Sequence, residues 1–71
     1  MSELVIYTKD RCPFCKKAKE YYEKEGIEYK EINTSNDEEA RQYAKEEYGA
    51  EKVPVIVKDG ELEQIGFAGG G

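Results

Sequence analysis

The sequence predicts a single α/β domain over residues 1–71, ordered β-α-β-α-β-β with a four-stranded mixed sheet. Three observations carry this. An apolar, β-branched run gives way at a proline to apolar residues recurring every three or four positions. That strand-then-helix pattern comes round a second time. The chain then closes on two short strand-like runs joined by Asp59-Gly60, a two-residue hairpin signal.

The first run, "LVIYT" (Leu4 to Thr8), shows no clean alternation, as expected of a strand covered on both faces. After Pro13 the apolar positions Phe14, Ala18, Tyr21 and Tyr22 mark one face of a helix, and Gly26 supplies its stop. "IEYKEIN" (Ile27 to Asn33) reads as an imperfect second strand. Ser35 with Glu38 three residues later reads as a capping box, and Asp37, Glu38 and Glu39 favour a helix N-terminus. Ala40, Tyr43, Ala44 and Tyr48 mark that helix's apolar face, and Gly49 its end. "VPVIV" (Val53 to Val57) is the third strand and "ELEQIGF" its hairpin partner. A strand, a helix and a strand make a right-handed unit, so the first two strands are parallel. The hairpin is antiparallel and joins the sheet beside the first strand. At helical spacing, Tyr21, Tyr22, Tyr43 and Tyr48 are residues of the core or its rim.

The chain holds two cysteines, Cys12 and Cys15, in "KDRCPFC". A domain of this size buries only about 60% of its unfolded surface, so a stapling disulfide is the first thing to test. A four-residue loop makes a poor staple: it contributes about 2 kcal/mol, against about 4.7 for a 100-residue loop. No secretory signal or membrane-length apolar run is visible, and a neighbouring dithiol in a reducing compartment is reactive rather than structural. A structural zinc site wants four Cys and His ligands, and the chain has no histidine. Two chains could still hold zinc or an iron–sulfur cluster between them.

Thiolates attack disulfides, and a helix N-terminus or nearby cations make a thiolate easier to form. Cys12 directly precedes Pro13, which suits the first helical position, so Cys12 occupies the N-cap and Cys15 the third position beyond. Lys9, Arg11, Lys16, Lys17 and Lys19 stand against Asp10 alone, a local charge of +4 in a chain of net charge −5. Cys12 is therefore expected to be the exposed, acidic thiol and Cys15 the shielded one. Lys9 and Arg11 flank Cys12, whereas Lys16–Glu20 and Lys19–Glu23 could equally be pairs on a solvated helix face. Phe14, between the cysteines, reads as an apolar shelf beside the sulfurs, or else as a core anchor. An acidic chain excludes general nucleic-acid binding.

A CxxC after the first strand and opening the first helix, with Val53-Pro54 leading a later strand, resembles the thioredoxin fold. "YTKDRCPFC", "KVPVIV" and the terminal "GF" resemble the small glutaredoxins and the related NrdH-type redoxins, over Leu4 to Ala68. In that fold the last helix would here be missing or truncated. The resemblance implies a cis Val53-Pro54 bond facing the site, with Val53 backbone groups free to pair with substrate. It implies a cytoplasmic, monomeric oxidoreductase with no bound cofactor. Cys12 attacks a protein or glutathione mixed disulfide and Cys15 resolves it. Lys9, Phe14, Val53 and Pro54 match glutathione-contacting positions, and Arg11, Gly66 and Phe67 complete the substrate-binding set. The electron donor is glutathione in ordinary glutaredoxins. It is thioredoxin reductase in NrdH-type redoxins, which serve ribonucleotide reductase. Lys52 replaces the usual Thr before Val-Pro, and "GFAGGG" replaces the residues that hold the γ-glutamyl end. Glutathione is thus expected to bind weakly, with Ala68 offering its ammonium no partner. The alternatives are the NrdH-type donor and a dimer bridging an iron–sulfur cluster.

Overall fold

Alternate side chains of one strand must face opposite ways, and an apolar strand therefore asks for cover on both sides. A computed structural model, describing residues 3–50 and 52–66, supplies that cover. The elements are β1 (Leu4–Thr8), α1 (Pro13–Lys24), β2 (Lys30–Asn33), α2 (Glu38–Tyr48), β3 (Val55–Lys58) and β4 (Glu61–Ile65). Leu4 and Ile6 of β1 pack with Ile56 of β3 against Ala18 of α1, with Tyr22 and Tyr29 at the border. On the opposite face Tyr7, Val55 and Val57 pack with Ala44 of α2, joined by Val5, Ile32, Ala40 and Tyr48. The two helices thus sandwich the sheet. Ile6, Val55 and Ile56 are fully buried, and each contributes roughly 1.5–3 kcal/mol of transfer free energy.

The strand order is β2-β1-β3-β4. β1 pairs parallel to β2, from Val5 opposite Lys30 to Thr8 opposite Asn33. It pairs antiparallel to β3, from Leu4 opposite Lys58 to Tyr7 opposite Val55. The β3–β4 turn has positive φ at both Asp59 (51°) and Gly60 (80°), the geometry that suits a two-residue hairpin. In that hairpin Ile56 faces Gln64 while Val57 faces Leu62, so Glu63 is an inserted bulge residue. A bulge and outward carboxylates on an edge strand oppose pairing with another chain.

Three boundaries differ from the sequence reading. The second strand begins at Lys30, not Ile27, because Ile27 belongs to the end of α1. Its N–H donates to the Tyr22 carbonyl (2.9 Å) and that of Gly26 (φ 72°) to Glu23 (3.1 Å), a Schellman closure. Ile27 remains 43% exposed, so its apolar character pointed the wrong way. The cap of α2 is Asp37, whose carboxylate accepts from the Ala40 N–H at 3.0 Å. Ser35 is taken elsewhere: its hydroxyl accepts from the Asp10 N–H at 2.9 Å. The third strand begins at Val55, and Val53 and Pro54 stand before it, Pro54 having no N–H to give a ladder. Tyr21 and Tyr43 are rim residues, about half exposed, each edge-on to a better-buried tyrosine.

Candidate active site

The carboxyl ends of β1 and β2 lie side by side, and the loops leaving them are tied together. The Thr34 N–H and hydroxyl both donate to the Thr8 carbonyl at 2.7 Å. The Asn33 amide donates to the Asp10 carboxylate at 2.9 Å. Arg11 takes a left-handed φ of 57°, turning the chain from this anchored loop into α1. Cys12 is the N-cap of α1 and Pro13 opens it.

At the cap, the Cys15 N–H donates to the Cys12 sulfur at 3.3 Å, which makes Cys12 Sγ the acceptor for an otherwise unsatisfied N–H of the first turn. Cys12 Sγ also lies 3.9 Å from the Val53 carbonyl oxygen. Both residues are largely covered, Cys12 at 9% exposure and Cys15 at 2%, so Cys12 is the more accessible sulfur but less open than the sequence reading expected. Burial, and then the hydrogen bond to the Cys12 sulfur, push the Cys15 thiol up to about 12, while the Lys9 backbone and the Lys19 charge oppose this. Two thiols are therefore held at one helix terminus, and the Cys15 proton is held tightly.

Cys12 and Cys15 line an open cleft with Lys9, Arg11, Lys16 and Glu31. Lys9 and Val53 also share the neighbouring cleft along α2. The Val53–Pro54 peptide is cis, as the resemblance implied, and Pro54 is buried. Gly66 is brought beside it, its N–H donating to the Pro54 carbonyl at 2.7 Å. Phe67 and Ala68 lie outside the described residues. Phe14 is half-buried and belongs to neither core cluster, and the Lys17 ammonium sits 5.3 Å from its ring centroid.

The charges of α1 are arranged differently from the expected helix-face pairs. Lys19 reaches Glu31 on β2 at 3.1 Å rather than Glu23, whose carboxylate accepts from the Tyr29 hydroxyl at 3.0 Å. Lys16 makes no ion pair with Glu20 among the described residues. Glu31 also accepts from the buried Thr8 hydroxyl at 2.7 Å. That hydrogen bond, reinforced by Lys19 against the cost of burial, holds the Glu31 carboxyl below its ordinary range. Sequence reasoning missed Thr8 and Glu31 as neighbours of the dithiol. Their apposition depends on the β1–β2 register, which places Ile6 opposite Glu31 and so turns both side chains towards α1.

The glutaredoxin family model matches residues 4–63, and the chain belongs to the glutaredoxin family. It is 36% identical over 62 residues to an uncharacterized glutaredoxin-like 8.6 kDa protein in the rubredoxin operon of Clostridium pasteurianum, covering 87% of this chain and 81% of that one. It is 40% identical over 58 residues to glutaredoxin 1 of Rickettsia prowazekii, covering 79% of this chain but only 61% of that protein. A crystal structure of the thioredoxin-like protein BC3987 superposes with a TM-score of 0.85 at 31% identity, covering 92% of this chain and 88% of that one. The fold is thus thioredoxin-like. Family and site together support a thiol–disulfide oxidoreductase. Among the described residues, no helix is long and apolar enough to cross a membrane.

Proposed function

We propose that the protein reduces protein disulfides or glutathione mixed disulfides through Cys12 and Cys15. Cys12, as thiolate, attacks one sulfur of R–S–S–R′; that bond breaks, R′–S⁻ leaves and takes up a proton, and Cys12–S–S–R forms. Cys15 then attacks the Cys12 sulfur, R–SH departs, and a Cys12–Cys15 disulfide remains. Two glutathione thiols return the pair to the dithiol and become glutathione disulfide. The alternative donor is a thioredoxin reductase, passing on two electrons from NADPH, as for an NrdH-type redoxin.

The observation that carries this reading is the 3.3 Å N–H hydrogen bond to Cys12 Sγ at the helix cap, beside a Cys15 thiol raised to about 12. The second point also gives the steps an order. Two of the influences raising Cys15 come from Cys12 itself, by hydrogen bond and by charge. A mixed disulfide removes that charge and weakens the acceptor, so Cys15 becomes easier to ionise once it is needed. Lys9 and Arg11 favour anionic partners, and the Val53 carbonyl, Pro54 and Gly66 form the backbone side of the substrate site, to which the family resemblance adds Phe67. Phe14 offers an apolar face beside it. The protein works in the cytoplasm as a monomer without a bound cofactor.

The test is a coupled assay following NADPH oxidation on hydroxyethyl disulfide. It is run once with glutathione and its reductase, and once with thioredoxin reductase alone. Turnover in neither arm overturns the proposal, and the productive arm names the donor. Cys12→Ser should abolish turnover in both.

A further inference from the structure

Helix α2 carries four carboxylates, Glu38, Glu39, Glu46 and Glu47, and two cations, Arg41 and Lys45. The cations are four residues apart, where like charges face each other and destabilise a helix. Both line one cleft of about 330 Å³, together with Lys9 beyond β1 and Lys52 before β3. No carboxylate among the described residues lines it. Lys9, Lys45 and Lys52 have no ion pair among the described residues, and Arg41 has only an exposed 3.4 Å contact with Glu38. In a chain of net charge −5, four cations lining a cleft that no carboxylate of the described residues lines run against the overall balance. The position of Lys45 in the last turn suits the helix dipole, but that accounts for neither Arg41 nor Lys52. The cleft also reaches Val53, whose carbonyl oxygen lies 3.9 Å from Cys12 Sγ.

We propose that this cleft binds a dianionic end of the substrate's thiol half, a phosphate monoester or a pair of carboxylates on a small molecule. Arg41, Lys45 and Lys52 are its specificity-determining residues. The inference rests on Cys12 as the attacking sulfur and deepens that reading. A single carboxylate is matched by Lys9 alone; three further cations select for more charge than that.

The test compares kcat/KM for two disulfides that differ only in their ends, pantethine (neutral) and the disulfide of 4′-phosphopantetheine. The disulfide of N-(3-mercaptopropanoyl)aspartate is a third arm, for the dicarboxylate. The wild type should prefer at least one dianionic disulfide over pantethine by about tenfold or more, the scale of two or three surface ion pairs. The preference should shrink as salt is raised. In a variant with Arg41→Gln, Lys45→Gln and Lys52→Gln the ratio should fall towards one. A control with Lys24→Gln, Lys30→Gln and Lys58→Gln removes the same charge from elsewhere and should keep the ratio. Equal rates for neutral and dianionic disulfides in the wild type overturn the inference, as does an equal loss of preference in the control. Either result with pantethine still reduced leaves the oxidoreductase reading intact; failure to reduce pantethine at all counts against that reading instead.

Discussion

Differential alkylation gives the sharpest check on the two-thiol site. The perturbation is a neutral reagent, iodoacetamide, added to the reduced protein at pH 8, with each cysteine's modification followed by mass spectrometry. Moving a thiol from 9.0 to about 12 lowers its thiolate fraction at pH 8 by about a thousandfold. Access adds to this, since Cys15 is 2% exposed and Cys12 9%. Cys15 should therefore react two to three orders of magnitude more slowly than an unfolded thiol, and well behind Cys12, by about a hundredfold or more. In denaturant the gap should close. Should Cys15 react within tenfold of Cys12 in the folded state, or the gap persist on unfolding, the reasoning fails. The same shift makes a stability statement. A thiol raised in the folded state stabilises fully below its unfolded value, and the contribution is lost as pH climbs from about 9 to about 12. Reduced protein should begin to lose stability from pH 9, whereas Cys15→Ala should hold until the tyrosines titrate. Tyr29 and Tyr48, also raised to about 12, join that loss above pH 10.

Ile56→Ala empties a position of β3 buried beside β1 and beneath α1, and should cost roughly 2–5 kcal/mol in urea unfolding; a loss under about 1 kcal/mol would place the core elsewhere. Thr8→Val and Lys19→Gln should each raise the Glu31 carboxyl, because the Thr8 hydroxyl, the largest single cause of its depression, and Lys19 both hold it down, and an NMR titration that finds it unmoved in either variant refutes that residue's part. A carboxyl held low stabilises above its unfolded pKa and loses that contribution as pH falls through the folded value, so Thr8→Val should flatten the acid limb of stability. Lys9→Glu should slow alkylation of Cys12 by iodoacetate, an anion, more than by iodoacetamide, with the difference shrinking at high salt. An equal effect on both reagents would remove Lys9 from the electrostatics of the site.

What the sequence made legible is what short-range physics decides. Cys12 before Pro13 had one sensible role at a helix start, and the structure puts it there. Asp59-Gly60 allowed positive φ at two successive residues, and the hairpin followed. Where two residues competed for one task, distant contacts chose between them. Ser35 and Asp37 are both good caps, and the choice fell to Asp37 because the Asp10 N–H from the first loop had claimed Ser35. No local rule contains Asp10.

The same limit explains which part of the site stayed hidden. Thr8, Lys19 and Glu31 come from β1, α1 and β2, and meet because the parallel register sets Thr8 two residues beyond the partner of Glu31. Read along the chain, Lys19 looked like a partner for Glu23 one turn away. Glu23 is instead engaged by Tyr29, and Lys19 is free to cross to the sheet. That crossing has a consequence for the dithiol, because Lys19 is among the groups lowering the proton affinity of Cys15. Glu31 holds Lys19 at 3.1 Å, and Thr8 holds Glu31 at 2.7 Å while its carbonyl secures the loop at Thr34. A single buried threonine at the end of β1 therefore braces the loop beside Cys12 and, through two side chains, the cation that acts on Cys15.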